Sequence, residues 1–564
     1  MICFMNTKIK VPVRFIVVFF LSVCCIGPAA LAQHYFLDTG FAHTGIDTFR
    51  GNIATGIIHR PVYVLPQVDN KKIVLVGAIW QGTSVEVMRV NYDGSFDTTF
   101  NDSGKVVATH SYIQTAPSAA TLYDTSKIIT ASQWLDINTG WEYISVFNFN
   151  SNGSLNTGFG TGGVAMVGLS AAPIYSYPYA CGVQSDGKIV IMGGTSIGGI
   201  ETYGLTRLLP NGTVDASYGS AGIEIDPCQM LDTPQGTSPN EALATCGYMQ
   251  PDNKFVVAGM FTDSGNIYNA YQCFIVRHNT DGSPDMNFGE ANGITLIKAP
   301  NQDYQATAIA ADSMGNSYVL THIQRWSPPF SDSNFAVIKL DPNGRRVSTY
   351  GYNGVSYLQL PVANAYSYGF AVQKDGNAIL SNIYHDYTTG FADKFIVYRL
   401  DTSGKLDTSF NTNSCIITQR DSNRHDLCIA AAVQPDGKIL LAGYDTFSAT
   451  SICMRFTNYH DTLPSSVQQV LPPASPAFTG YVFPNPAFGD KIFIHYSNTG
   501  YPGAGALQLY DVSGRLMDYQ TESLLSGNGD IIYKAPAGIP AGTYYIVLRN
   551  GHDEKQVHAV TLFK

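Results

Sequence analysis

The polar and apolar positions of this chain follow a pattern that returns about every 61 residues, the length of one repeated structural unit. Each repeat contains an Asp-Gly-Lys turn or a near variant, followed by a short apolar run, as in QSDGKIVIMGG from Gln184 and QPDGKILLAGY from Gln434. The turns lie near Asp69, Asp124, Asp186, Asp252, Met314, Asp375 and Asp436. No long stretch alternates at helical spacing, so the pattern predicts an all-β chain.

Each repeat predicts four short strands. The first strand is rich in small residues, as in 242–244, and the second is the apolar run after the Asp-Gly-Lys turn. The third strand alternates, as in FIVYRLD from Phe395, and the fourth follows a second turn such as YDGSFDTTFNDSG from Tyr92. Because four-stranded antiparallel units arranged around an axis make a β-propeller, seven repeats predict a seven-bladed β-propeller over residues 33–460.

The two ends of the repeat region predict how the ring closes. The second turn phrase first occurs at LDTGFAHTG from Leu37, before any complete repeat, while the last third-strand pattern begins at Ile452. We therefore expect the start of the chain to complete the last repeat, which leaves no free blade edge for aggregation.

The segments outside the repeats have their own signatures. Residues 1–32 predict a signal peptide, with Lys8, Lys10 and Arg14 before an apolar stretch and small residues at 30–32. Val23 stands where a lipoprotein signal needs a small residue before its cysteine. Residues 461–479 form a Pro- and Ser-rich linker, and the alternating runs of 480–564 predict a small Ig-like β-sandwich.

The repeated phrases resemble the delta-60 repeats of secreted bacterial proteins, a β-propeller family. The phrases FPNP, LYDVSGRLM and AGTYYIVL near the carboxy terminus resemble the type A sorting domain of the type IX secretion system of Bacteroidetes. The residues that carry this second resemblance are Pro484, Asn485, Pro486, Gly514, Arg515, Gly542 and Tyr544. It implies the type IX secretion machinery as a partner and a secreted or outer-membrane cell-surface protein; the alternative is an accessory sandwich that stays on the mature chain.

Composition narrows the classes of partner. Charged residues make up 13% of the chain and the net charge is −10, so no basic surface is expected to neutralise phosphates. Nucleic acid and anionic membranes are therefore excluded as expected partners. We expect a monomer.

Cysteines and turn carboxylates leave two alternatives each. Cys228 with Cys246, and Cys415 with Cys428, flank equivalent connections and are either loop disulfides of a secreted protein or buried thiols.

Pairs of turn carboxylates suit calcium, but each copy supplies few oxygens and hairpin turn chemistry explains the same residues. The best such pairs are Asp93 with Asp97 and Asp281 with Asp285. We expect no cofactor and no metal.

The connections between strands divide into two faces. Links from strand one to two and from three to four lie on one side, the turn face; links from two to three and between repeats lie on the other, the loop face. The loop face holds the long, variable connections, and aromatic residues on a rigid scaffold suit recognition of sugars or proteins. The candidates are Trp80, Trp134, Trp141, Trp326, Tyr384, Tyr175, Tyr177, Tyr366 and Tyr368.

These patterns predict a non-enzymatic protein that binds an extracellular glycan or protein through its loop face. No catalytic motif is expected to act in this fold. The alternatives are a structural surface component and a polysaccharide lyase or glycosidase, because a glycosidase needs two carboxylates across a cleft. The loop carboxylates are Asp136, Glu142, Glu201, Asp332 and Asp386.

Overall fold

The computed structural model describes most of the chain between residues 35 and 563. The ranges outside the description are 1–34, 51–58, 68–71, 80–83, 110–116, 124–126, 171–174, 227–240, 263–270, 299–301, 326–333, 359–368, 387–391, 412–414, 419–425, 446–449, 459–477, 484–486, 489–490, 499–502, 512–514, 525–526, 537–538, 541, 550–554 and 564. The signal segment lies outside the described residues, as does all of the linker except its last two residues.

Seven antiparallel sheets follow one another along the described part of residues 35–458. Ring sheet 1 contains β3 (His59–Pro66), β4 (Ile73–Ile79), β5 (Ser84–Val90) and β6 (Lys105–Thr109). Ring sheet 2 contains β7 (Ala119–Tyr123), β8 (Lys127–Asp136), β9 (Trp141–Asn150) and β10 (Val164–Val167). Ring sheet 3 contains β11 (Ser176–Val183), β12 (Ile189–Ile197), β13 (Ile200–Leu208) and β14 (Ile223–Asp226). In each of them consecutive strands are neighbours.

The same order continues through the rest of the ring. Ring sheet 4 contains β15 (Glu241–Met249), β16 (Phe255–Thr262), β17 (Tyr271–His278) and β18 (Ile294–Ile297). Ring sheet 5 contains β19 (Gln302–Ala311), β20 (Ser317–Arg325), β21 (Asn334–Leu340) and β22 (Val355–Leu358). Ring sheet 6 contains β23 (Gly369–Val372), β24 (Ala378–Asp386), β25 (Ala392–Leu400) and β26 (Cys415–Thr418). Ring sheet 7 contains β27 (Asp426–Val433), β28 (Ile439–Asp445) and β29 (Thr450–Asn458).

The start of the chain completes ring sheet 7. Strand β1 (Tyr35–Leu37) pairs with the end of β29, and β2 (Ile46–Arg50) pairs with its beginning, both antiparallel. The prediction that the last repeat borrows its fourth strand from the amino-terminal end is confirmed. Hydrogen bonding across this join leaves β29 paired on both edges, as in the other ring sheets.

The ring sheets pack against each other in a closed cycle. The first strands β3, β7, β11, β15, β19, β23 and β27 contact one another in this order, and β27 contacts β3. A buried apolar cluster joins each neighbouring pair of ring sheets. The cluster at the closure joins Leu440 and Ala442 of ring sheet 7 to Leu75 of ring sheet 1 and to Phe41 and Phe49 from the chain start. Each large apolar side chain buried in this way contributes about 1.5 to 3 kcal/mol.

A second β domain follows the linker. Its strands are β30 (Phe478–Phe483), β31 (Ala487–Phe488), β32 (Lys491–Asn498), β33 (Gly503–Asp511), β34 (Leu516–Leu524), β35 (Gly527–Lys534), β36 (Gly542–Arg549) and β37 (Lys555–Phe563). They form a three-stranded sheet, β30-β32-β35, and a five-stranded sheet, β31-β37-β36-β33-β34. Ile494 of the first sheet and Leu509 and Ile546 of the second share one buried core, so the two sheets make a sandwich. Strand β30 begins two residues before the predicted boundary at 480.

The cysteine alternative is decided for the described residues. Cys246, Cys415 and Cys428 are free thiols, which agrees with the thiol alternative and not with the disulfide alternative; Cys228 lies outside the described residues. Cys428 is fully buried, and its Sγ lies 3.2 Å from Ser381 Oγ of the neighbouring sheet. Burial raises the pKa of the Cys428 thiol to about 12, which keeps it protonated and unreactive.

Within the described ranges, no helix is long and apolar enough to cross a membrane.

Candidate functional site

A repeated ion pair occupies the turn face. In ring sheet 4 the Nε of Arg277 donates to Asp285 Oδ2 at 2.9 Å, and the Nζ of Lys254 lies 2.7 Å from the same oxygen. The Arg277 carbon Cζ lies 4.7 Å from the centre of the Phe288 ring, and its Nη1 donates to Pro342 O of ring sheet 5 at 2.8 Å. One guanidinium therefore joins its own turn to the next ring sheet.

The same arrangement recurs around the ring with the same spacing of eight residues. It consists of an arginine on the third strand, an aspartate on the following turn and an aromatic ring three residues later. The other copies within single ring sheets are Arg89 with Asp97 and Phe100, Arg207 with Asp215 and Tyr218, and Arg399 with Asp407 and Phe410. The repeated turn phrase is thus a packing device between sheets.

These contacts remove the turn carboxylates from cation binding. Burial opposes ionisation of Asp285, but hydrogen bonds from Lys254 and Arg277 outweigh it and lower the pKa of this carboxyl. At Asp215 the hydrogen bond from the Ser217 hydroxyl is the largest influence, and the pKa falls to about 2. The calcium alternative is therefore not supported at Asp97 and Asp285, whose oxygens already face basic side chains. The other members of the predicted pairs, Asp93 and Asp281, accept hydrogen bonds from the Ser95 and Ser283 hydroxyls of their own turns. Within the described part of the chain, no group of three or more His, Cys, Asp or Glu is placed to hold a metal ion.

On the loop face, the β8–β9 hairpin carries an aromatic cluster. Trp134 of β8 and Tyr143 of β9 are paired residues, and their ring centres lie 5.8 Å apart. Trp141 at the start of β9 lies 6.4 Å from Tyr143 and is 36% exposed. Trp134 is partly buried against the core between ring sheets 1 and 2, so it supports the hairpin while Trp141 presents an accessible ring.

Three tyrosines of ring sheet 3 lie beside this hairpin. Tyr177 and Tyr179 of β11 have ring centres 5.2 Å apart, and Tyr175 precedes the strand. The Tyr177 hydroxyl accepts a hydrogen bond of 3.1 Å from Ser118 Oγ, and the Tyr63 hydroxyl donates to Ser118 O. This chain of contacts ties the first strands of ring sheets 1 and 3 together through the start of ring sheet 2.

Two loop carboxylates influence the Tyr175 phenol. Burial raises the pKa of the Tyr175 phenol, and Glu201 of β13 and Glu142 of β9 add to the rise. Burial also raises the pKa of the Tyr179 phenol, and its hydrogen bond with Tyr175 adds to that effect. Gln133 Nε2 donates to Glu142 Oε2 at 2.7 Å. The predicted residues Trp134 and Trp141, with Tyr143, therefore lie on the side of the β8–β9 hairpin that faces ring sheet 1. The predicted residues Tyr175 and Tyr177, with Tyr179, belong to ring sheet 3 on the other side of this hairpin. The sequence patterns did not single out Tyr143 and Tyr179.

Some of the remaining predicted residues are described by the structure, and the others lie outside the described ranges. Tyr384 lies in β24 of ring sheet 6, paired with Lys394. Arg515 Nε lies 3.0 Å from Asp511 Oδ2 on the exposed surface of the sandwich, Gly542 begins β36, and Tyr544 is buried with its hydroxyl donating to Pro540 O at 2.9 Å. The residues outside the described ranges are Trp80, Trp326, Tyr366, Tyr368, Asp332, Pro484, Asn485, Pro486 and Gly514.

A family profile matches the ring domain in four segments. It is described as "Domain of unknown function (DUF5122) beta-propeller" and covers residues 69–100, 184–218, 250–288 and 434–456. Each segment begins near the first turn of a ring sheet and runs through its third strand, in ring sheets 1, 3, 4 and 7. The ring domain is a β-propeller. A search of curated proteins finds no match.

Solved structures with a resembling fold belong to different functional classes. The polysaccharide lyase Uly1 is 9% identical, with a TM-score of 0.44 over 76% of this chain and 98% of that protein. PorZ, an essential bacterial surface component of the type IX secretion system of Porphyromonas gingivalis, is 11% identical, with a TM-score of 0.28 over 90% of this chain and 70% of PorZ. The β-propeller domain of the Trilobed protease from Pyrococcus furiosus is 8% identical, with a TM-score of 0.31 over 78% of this chain and 93% of that chain. None of these resemblances assigns an activity to this chain.

Proposed function

We propose that this protein is a secreted or cell-surface β-propeller of seven delta-60 blades that binds an extracellular glycan or protein through its loop face. The observation that carries the proposal is the exposed Trp141 ring beside Tyr143, on a hairpin that Trp134 anchors in the core. A partly exposed aromatic ring on a rigid hairpin offers a large contact area at a low cost in conformational entropy. The ring supplies the scaffold, and this region of the loop face supplies the contact.

The chemistry of the cluster favours binding over catalysis. A tyrosine that acts as a general base needs a lowered pKa, whereas burial raises the pKa of Tyr175 and of Tyr179. The Glu142 carboxylate accepts a hydrogen bond from Gln133. Such groups are suited to orient a polar ligand beside an aromatic surface.

We also propose that the sandwich is an Ig-like sorting domain read by the type IX secretion machinery. The sequence phrases at 483–486 and 509–517 and the strand that ends at Phe563 support this proposal. Removing residues 480–564 is expected to leave the β-propeller in the periplasm of a host with this secretion system, whereas the full chain reaches the culture medium or the cell surface. Equal release of both forms would show that the sandwich is an accessory domain.

A glycan array and a peptide library, each probed with residues 33–564, test the binding proposal. Trp141→Ala is expected to abolish saturable binding, because it removes the exposed ring. Tyr352→Ala is the matched control: its side chain is 75% exposed on the turn face of ring sheet 5, so its removal is expected to leave binding unchanged. Equal loss in both variants, or no saturable ligand, would refute the proposal, and release of products from a polysaccharide panel would replace it with an enzyme.

A further inference from the structure

Two neighbouring hairpins on the loop face end in exposed apolar side chains. The tip between β8 and β9 presents Ile137, which is 55% exposed, next to Trp141. The tip between β12 and β13 presents Ile197 and Ile200, which are 44% and 50% exposed. Strands β8 and β9 contain ten residues each and β12 and β13 nine each, compared with seven each in β4 and β5 of ring sheet 1. The longer hairpins carry these side chains away from the core.

The turns that hold these tips have defined geometry. Asp136 accepts hydrogen bonds from Asn138 N and from the Thr139 hydroxyl at 2.9 Å each, and Gly140 N donates to Asp136 O at 2.7 Å. Gly198 and Gly199 form the other tip, both with positive φ, as a two-residue hairpin turn requires. No atom lies within 4 Å of the Cβ position of either glycine, so the tip stands clear of the rest of the protein. The isoleucines are therefore held in solvent by ordered turns.

The two hairpins face a common space. Ile197 of β12 pairs with Ile200 of β13, and both lie on the side of ring sheet 3 that packs against ring sheet 2. Glu142 of β9 lies on the side of ring sheet 2 that packs against ring sheet 3, because Ile144 and Val146, at two-residue spacing from it, belong to the core between these sheets. A Cβ added at Gly194 of β12 would lie 3.2 Å from the Tyr175 ring and 3.1 Å from the Tyr179 ring, so these tyrosines pack directly against the second hairpin. The exposed isoleucines and Glu142 thus border the same gap between ring sheets 2 and 3.

This surface has charge of a single sign. The hairpin segments 133–144 and 195–203 contain Asp136, Glu142 and Glu201 and no lysine or arginine. An apolar partner surface with lysine or arginine at its rim would complement both the exposed isoleucines and the acidic side chains. A polyanionic glycan or an anionic membrane would meet like charge instead.

We infer that the paired hairpin tips dock a protein segment in which apolar side chains alternate with lysine or arginine. The inference deepens the proposed function, since it uses the same loop face and commits the ligand to a protein. Leucine-sized side chains of the segment would cover Ile137, Ile197 and Ile200, while its basic side chains would meet Glu142, with Glu201 on the other side of β13 adding negative charge nearby. Rigid hairpins lose little freedom on binding, which favours such a contact.

The test uses three fluorescent twelve-residue peptides of alternating sequence: lysine with leucine, glutamate with leucine, and lysine with serine. Fluorescence anisotropy with residues 33–564 is expected to show binding of the lysine-leucine peptide at least about tenfold tighter than that of the other two, because both the apolar and the charged contacts are needed. The double variant Ile137→Ser with Ile200→Ser is expected to weaken binding about tenfold or more. Glu142→Gln with Glu201→Gln is expected to weaken it at low salt and to flatten its salt dependence.

Met314→Ser is the matched control, because Met314 is 75% exposed on the turn face, and this substitution is expected to leave peptide binding unchanged. Equal binding of the glutamate-leucine peptide, unchanged binding by the isoleucine variant, or no binding of any peptide would overturn the inference. Binding to zwitterionic lipid vesicles that depends on the same isoleucines would also overturn it in favour of a lipid surface. If glycan binding that depends on Trp141 persists after such a failure, the proposed function stands without this inference.

Discussion

Arg455 Nε lies 2.8 Å from Asp38 Oδ2, which joins two residues that are 417 positions apart in the chain. Lys438 Nζ lies 3.1 Å from the same oxygen, and the Arg455 guanidinium packs 4.8 Å from the Phe41 ring centre. Arg455 Nη1 also donates to Tyr92 O of ring sheet 1. This is the repeated turn-face arrangement, with the arginine supplied by one end of the propeller and the aspartate by the other.

Asp38→Asn is expected to destabilise the β-propeller by about 3 to 5 kcal/mol, because the substitution leaves the buried Arg455 guanidinium without its carboxylate. The free energy of unfolding in urea measures this change. Asp186→Asn is the control, since the Asp186 carboxylate is 53% exposed and its contact with Lys188 is worth less than about 1 kcal/mol. Equal effects of the two substitutions would contradict the structural role given to Asp38.

The repeated ion pairs predict a loss of stability in acid. Folding lowers the pKa of Asp97, Asp215, Asp285 and Asp407 below that of an unfolded chain, so the stability they contribute is present above about pH 4 and is lost as the pH falls toward 2. Thermal unfolding of the β-propeller followed from pH 7 to pH 2 is expected to show only a small change above pH 5 and a steep fall below pH 4. A melting temperature that stays constant down to pH 2 would show that the pairs contribute little.

Asp47 on β2 is expected to have the opposite effect on the pH dependence of folding stability. Burial raises the pKa of its carboxyl to about 6, while the hydrogen bond from Thr48 N partly offsets that effect. Folding therefore favours the protonated form, and the resulting stability is present below about pH 4 and lost as the pH rises through 6. Asp47→Asn is expected to stabilise the protein at pH 7 by about 1 kcal/mol, after allowing for the partial exposure of this side chain, and to have little effect at pH 4. An equal effect at both pH values would contradict this account.

Gly259 on β16 occupies a position where any side chain meets the first strand. Strand β15 has an irregularity between Ala244 and Cys246, and a Cβ at Gly259 would lie 2.2 Å from Leu243 O. Gly259→Ala is therefore expected to destabilise the protein by about 1 to 3 kcal/mol through overpacking, measured by urea unfolding. Gly158→Ala is the control, because its Cβ would meet the nearest atom at 3.5 Å, and it is expected to be nearly neutral.

The repeat and its closure were predictable because they depend on local patterns. Asx-Gly turns and alternating runs define the strands, and the early occurrence of the phrase at Leu37 revealed the shared last sheet. The pairing of Arg277 with Asp285 was missed, because the turn aspartates were considered as hairpin turn residues or cation ligands and not as partners of the arginine eight residues earlier. The recurring spacing of eight residues between the arginine and the aspartate is visible in the sequence.

The surface of the loop face was less predictable. The exposure of Ile137 and Ile200 depends on how far the hairpins extend beyond their sheets, and the position of Tyr179 depends on the approach of Gly194 in the neighbouring strand. The spacing of the loops left disulfides and buried thiols open for Cys415 and Cys428, because it does not reveal which side chains point into the core; the structure has buried free thiols.

The assignment of all hairpins of one kind to a single face depends on the ring being closed by β1 and β2. Amide hydrogen exchange of residues 33–564, followed by mass spectrometry, measures this closure directly. The account predicts that the amides of Tyr35–Leu37 and Ile46–Arg50 exchange as slowly as those of Thr450–Asn458, and that Asp38→Asn accelerates all three together. Exchange of the two amino-terminal strands within seconds, while β29 stays protected, would contradict the closed ring.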